Sequence, residues 1–132
     1  MPLYAFGSNG SGQLAIGHDE DTSVPAKCLF EDDTNKIELP NPPSSFSSSE
    51  ITRIVAGGNH TLVLLANGSV FSTGCNDDGR CGHAPSSPLK RFRRVVLRDR
   101  DGRVFSRFGG VAATWEASVL VAEDGEGDKV FS

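Results

Sequence analysis

No hydrophobic run in this chain approaches the ~20 apolar residues that a membrane helix needs, and no basic segment followed by an apolar one opens it. Those absences predict no membrane contact and a cytoplasmic or nuclear protein that is not secreted. Cysteine is scarce: Cys28, Cys75 and Cys81 are irregularly spaced and read as free thiols in a reducing compartment. Without a secretory signal, the three Asn-x-Ser/Thr triplets at Asn9, Asn59 and Asn67 read as turns, not glycan acceptors. Tryptophan occurs once, at Trp115, and the hydrophobic share is a modest 37%. Fifteen glycines and seven prolines in 132 residues signal many turns and few long helices, so the expected class is all-β.

What is present is a repeat. In residues 54–83, IVAGGNHTLVLLANGSVFSTGCNDDGRCGH, the glycine box Gly57-Gly58-Asn59-His60 opens an aliphatic strand. Asn67-Gly68 then turns the chain into a second strand at Val70-Phe71, and a second box follows with Gly74, Asn76 and Gly79. Asn-Gly between two strand-like runs predicts a two-residue type I′ hairpin with positive φ at both positions. Residues 3–14 match 70–81 at an offset of 67, which puts Gly7, Asn9 and Gly12 on Gly74, Asn76 and Gly79. Residues 111–120 align on 55–64 at an offset of 56, which puts Trp115 on Asn59 and Glu116 on His60. The turn at 123–128 then stands for Ala66-Asn67-Gly68, and Val130-Phe131-Ser132 repeats Val70-Phe71-Ser72.

Three segments follow, 1–30, 51–89 and 90–132, the last cut short, with a Ser/Pro-rich acidic insertion at 31–50 expected to be flexible. Starting in mid-unit predicts that the missing partner strands come from the far end of a ring of repeats.

The boxes GxNxxGQL at 7–14, AGGNHT at 56–61 and the Gly68-x-Val70-Phe71 turn resemble the regulator-of-chromosome-condensation repeat family. Within that family, YAFGSNGSGQLAIGHDED at 4–21 and TWEAS at 114–118 are most similar to the fungal alpha-tubulin suppressor proteins. The resemblance implies a seven-bladed β-propeller of which this chain is the N-terminal part, with about two to three repeats. It further implies a non-catalytic adaptor that works with a small zinc-ribbon electron carrier in diphthamide formation and Elongator-dependent tRNA wobble-uridine modification. The alternative it implies is guanine-nucleotide exchange on a small GTPase by wedging, without covalent chemistry.

Each candidate site has a plainer structural role beside the functional one. Cys75, Cys81 and His83 lack a fourth ligand and a zinc spacing, so no metal or other cofactor is expected. His60 stands at a strand entry beside two glycines and reads as structural; no catalytic constellation is apparent. The box at Gly7, Asn9 and Gly12 lacks the Lys and helix of a phosphate loop. Eight of the 13 basic residues, Lys90, Arg91, Arg93, Arg94, Arg98, Arg100, Arg103 and Arg107, form an island in an acidic chain of net charge -4. A nucleic-acid surface is one reading of that island, and a charged edge that resists strand pairing is the favoured one. Trp115, with Glu116, is a candidate partner anchor, held even with a role in capping the core.

Overall fold

The computed structural model describes residues 3–31, 38–39 (backbone only), 51–122 and 129–132, and these form strands and turns with no helix. The first sheet pairs β1 (Tyr4–Gly7) with β2 (Thr22–Lys27) antiparallel. The central sheet runs through β5 (Ile51–Ala56), β6 (His60–Leu65), β7 (Val70–Gly74) and β8 (Leu89–Arg94), each antiparallel to the next. On its β8 edge it gains β3 (Phe30–Glu31), paired parallel through Phe30 and Phe92, and then β4 (Glu38–Leu39). A short hairpin of β9 (Leu97–Arg98) and β10 (Val104–Phe105) leads to the last sheet, β11 (Phe108–Ala113), β12 (Ser118–Ala122) and β13 (Lys129–Phe131).

β8 closes the central sheet, so that sheet crosses the boundary drawn at 89/90 in the sequence. Residues 103–108 are divided between β10 and the start of β11. Of the 31–50 insertion, Glu31 is buried and Glu38–Leu39 is a strand; its expected flexibility concerns residues otherwise outside those described, as does the turn at 123–128.

Alternation along β6 divides the core. Val63 and Leu65 face the first sheet, packing with Phe30, Phe71, Phe92, Cys28 and Ala15, while Leu62 and Leu64 face the last sheet, packing with Val70, Val95, Phe108, Leu120 and Ala122. Phe30 stacks on Phe92 at 4.9 Å and meets Phe71 edge-on at 5.3 Å. Burying such a ring is worth about 2–3 kcal/mol, and each good ring pair adds about 1. This phenylalanine cluster holds β3 against the central sheet despite its single parallel pair.

The hairpin turns correct the type I′ expectation. Gly68 has φ +89°, but Asn67 does not enter the left-handed region; Gly68 N–H donates to Leu65 O and Leu65 N–H to Ser69 O. This is a three-residue connection with glycine at its left-handed position. The turn at Asp101-Gly102 is built alike, with Gly102 at φ +80°, Gly102 N–H on Asp99 O and Asp99 N–H on Arg103 O.

Candidate protein-interaction site

The two Gly-Asn-Gly boxes are equivalent in three dimensions as well as in sequence. Asn9 and Asn76 are fully buried, and each carboxamide ties its own loop together. Asn9 Nδ2 donates to His18 O and Glu20 O, while its Oδ1 accepts from Leu14 N–H. Asn76 Nδ2 donates to Ala84 O and Ser86 Oγ, while its Oδ1 accepts from Cys81 N–H. Gly7 and Gly74 share a φ near +115°, and Gly12 and Gly79 one near +80°. Ala15, in the slot of Gly82, is the described non-glycine residue with positive φ, at 59°.

The other alignment is one residue out. In the central sheet Val55 pairs with Leu62 and Ala56 with Thr61, and Gly57 N–H then donates to His60 O. In the last sheet Ala112 pairs with Val119 and Ala113 with Ser118, and Thr114 N–H donates to Ala117 O. The equivalence is therefore 57 residues, 114 minus 57, and not 56. Trp115 stands in the slot of Gly58 and not of Asn59; Glu116 replaces Asn59, and Ala117 replaces His60. A one-residue slip moves every side chain to the other face, which is why register shows what letter matching concealed.

With the register corrected, a joint that sequence reading missed becomes visible. Thr61 Oγ1 donates to Gln13 O at 2.9 Å, and Ser118 Oγ donates to Arg80 O at 2.6 Å. Thr61 and Ser118 are equivalent at 57 residues, and Gln13 and Arg80 at 67. The same hydroxyl-to-carbonyl clip thus joins each glycine box to the next sheet. Its sequence signal is a hydroxyl residue one position after the His60 slot.

At the second clip, His60 Nε2 lies 2.9 Å from Ser118 Oγ. Because Ser118 gives its proton to Arg80 O, it accepts from His60, which fixes the Nε2–H tautomer. Among the described residues His60 Nδ1 has no hydrogen-bond partner, so no carboxylate orients the ring. Burial lowers the His60 pKa from its usual 6.5, with the Ala117 backbone opposing. A serine whose proton is aimed at a backbone carbonyl is not poised as a nucleophile; the pair holds two sheets together.

Gly57 and Gly58 are explained by the same joint. A Cβ at Gly57 would collide with the His60 ring and Thr114 O, and one at Gly58 would lie 2.6 Å from Cε2 of Trp115. Gly58 N–H donates to Trp115 O at 2.9 Å. The indole therefore lies over a glycine of the preceding sheet while 73% of the residue remains exposed, with exposed Glu116 beside it. Glu116 also lines a crevice of about 370 Å³ between the Asp78-to-His83 loop and β12. At its lip Arg80 forms a bidentate pair with Asp78, at 2.9 and 3.0 Å.

The basic residues do not form one surface role. Arg93 grips buried Glu31 at 2.6 Å, Arg91 approaches it at 3.9 Å, and Lys90 reaches Asp19 at 3.7 Å. Arg94 is half-buried. Arg98, Arg100, Arg103 and Arg107 are exposed, with Arg103 lying 5.4 Å over the Phe105 ring. Cys75, Cys81 and His83 do not converge: Cys81 is fully buried with its thiol on Cys75 O, and among the described residues no group of three metal-ligand side chains occurs. Nor is any helix among them long and apolar enough to cross a membrane.

The signature described as the regulator of chromosome condensation (RCC1) repeat matches residues 2–64, and a second form of the same signature matches 51–80. An RCC1 repeat-containing protein of Schizosaccharomyces pombe is 31% identical over 128 residues, which cover 92% of this chain and 30% of that protein. The secretion-regulating guanine nucleotide exchange factor of Mus musculus is 28% identical over 125 residues, 94% of this chain and 23% of the relative. Among solved structures, Prp20p of Saccharomyces cerevisiae, characterised for its binding to Gsp1p and histones, superposes with a TM-score of 0.63 at 22% identity. That superposition covers 94% of this chain and 27% of Prp20p, so the sheets are blades of a β-propeller. The chain spans between about a quarter and a third of the length of these three proteins.

Proposed function

This chain belongs to the regulator of chromosome condensation (RCC1) repeat family, and from that premise we propose that it is a non-catalytic, protein-binding part of a propeller whose partner docks on the rim carrying Trp115 and Glu116. The observation that carries the reading is the indole: it is exposed, it lies against Gly58 of the neighbouring blade, and its carbonyl is tied to that glycine. A large aromatic held in place before binding loses little entropy on contact, which is what an interface anchor requires. The buried His60 and Ser118 serve the joint beneath it.

A small GTPase is the partner class favoured by the names of the relatives, one of which is a guanine nucleotide exchange factor. Exchange by wedging needs an exposed element and no covalent chemistry, and the exposed Trp115 turn is the candidate for it. The second reading is the adaptor role with a small zinc-ribbon electron carrier and Elongator-linked factors, supported by the two stretches at 4–21 and 114–118. A cytoplasmic or nuclear location belongs to both. Nucleic-acid binding is the weaker reading, since Lys90, Arg91 and Arg93 already face carboxylates.

The test is capture on the immobilised full chain beside Trp115→Ala. The expected outcome is recovery of a small GTPase and roughly 30-fold weaker binding by the variant, the size of an anchor residue's effect, with an unchanged melting curve. Acceleration of nucleotide release from that GTPase would establish exchange, whereas recovery of a zinc-ribbon protein would establish the adaptor. Equal binding by both chains, or a Trp115→Ala chain that melts, would reject the anchor.

A further inference from the structure

A second recess, away from the tryptophan rim, is lined by Ser86, Ser87, Lys90, Arg91, Arg93 and Glu31, and has a volume of about 190 Å³. Lys90, Arg91 and Arg93 bring three cationic side chains to it beside Glu31, and Lys90 also reaches Asp19 at 3.7 Å. The adjacent loop reads Pro85-Ser86-Ser87-Pro88-Leu89-Lys90. Its two serines differ sharply. Ser86 Oγ accepts from Asn76 Nδ2 at 3.0 Å and donates to Ser87 O at 2.8 Å, so it is part of the box. Ser87 is exposed, and its hydroxyl has no hydrogen-bond partner among the described residues.

Pro88 follows Ser87 directly, presents no backbone N–H, and is itself exposed. Lys90 stands three residues beyond the serine. A serine followed by proline, with a cation two residues further on, is the pattern that proline-directed protein kinases accept.

We propose that Ser87 is a phosphoacceptor for a proline-directed protein kinase and that Lys90, Arg91 and Arg93 receive the phosphoryl group. In the transfer Ser87 Oγ bonds to the γ-phosphorus of ATP, the bond from that phosphorus to the ADP oxygen breaks, and the hydroxyl proton passes to the base of the kinase. The product carries close to two negative charges and three acceptor oxygens, for which these cationic side chains are charge-assisted donors. It competes with Glu31 for Arg93, whose ion pair spans β3 and β8 at 2.6 Å, and so acts on the joint made by Phe30 and Phe92. The modification is thus a charge switch on the edge of the central blade.

The experiment has two arms. The full chain and Ser87→Ala are incubated with ATP and a proline-directed kinase, and the product is mapped by mass spectrometry. One phosphoryl group at Ser87, absent from the variant, is expected. No incorporation into the folded chain by a kinase that modifies the 84–91 peptide would overturn the acceptor, as would incorporation at Ser86. In the second arm, phosphoserine is installed at 87 during translation and titrated by phosphorus NMR. Its second pKa should fall from ~6 in the peptide to about 5 in the chain, and return toward 6 in Lys90→Gln. The same value in peptide and chain would overturn the receiving cluster.

Discussion

His60 couples the blade joint to pH. Its folded pKa lies below the usual 6.5, first through burial, and the same holds for His83, where burial and the Arg93 charge act together. The stability of the neutral rings is complete above the unfolded value and is lost as pH falls through it toward the folded value. The melting temperature should therefore fall between about pH 7.5 and pH 5.5, and His60→Gln should flatten part of that fall. A thermal melt series that shows the same slope in both chains would assign the dependence elsewhere. The thiols give a second reading at this scale. Burial raises the Cys28 pKa to about 11 and the Cys81 pKa to about 12, so little reactive thiolate forms at neutral pH. Brief treatment of the native chain with iodoacetamide should leave Cys28 and Cys81 unmodified by mass spectrometry, and unfolding in urea should expose both.

The hairpins test what local sequence can encode. Asn67-Gly68 marked a turn correctly, but its type was decided by how β6 and β7 align across it. Only Gly68 is left-handed, and a Cβ there would also approach Arg107 Cβ at 3.3 Å. Gly68→Ala should cost about 1–2 kcal/mol in urea denaturation, while Asn67→Ala, which loses one bond to Ser69 N–H, should cost under ~1. Equal costs would restore the type I′ turn. The last blade makes the same point about register. Val111-Ala112 looks like Val55-Ala56 as letters, yet the ladder sets Ala112 opposite Val119 as it sets Val55 opposite Leu62. Both first strands carry irregularities, between Ile51 and Arg53 and between Phe108 and Gly110, that no letter pattern reveals. The outcome for the candidate site was concrete: Trp115 took a glycine's place and Glu116 an asparagine's, and the clip from Ser118 to Arg80 emerged.

Across the whole molecule the repeats predict which apolar faces are open. Tyr4 occupies the slot of Phe71, and Val130 that of Val70; both central residues are fully buried, whereas Tyr4, Phe6 and Val130 are more than half exposed. The outer faces of the first and last blades therefore present to solvent the positions that the central blade covers on both sides. The full chain should bind an apolar-surface dye in its native state. Phe6→Ser should reduce that signal while shifting stability by less than about 0.5 kcal/mol, because its ring is not in the core. A dye signal unchanged by the substitution would place the open apolar surface elsewhere.

The sequence by itself determined the fold class and the repeat, because turn chemistry and strand alternation are local properties written in neighbouring residues. The Gly-x-Asn boxes were legible to the residue, since Asn9 and Asn76 bond within their own loops. Only the tertiary structure decided the register of the last blade, the capture of Arg93 by Glu31 and the seating of Trp115 on Gly58. The last two are contacts between residues 62 and 57 positions apart. They depend on which faces of adjacent sheets meet, and that is settled by burial across the interface between blades, which no stretch of neighbouring residues contains.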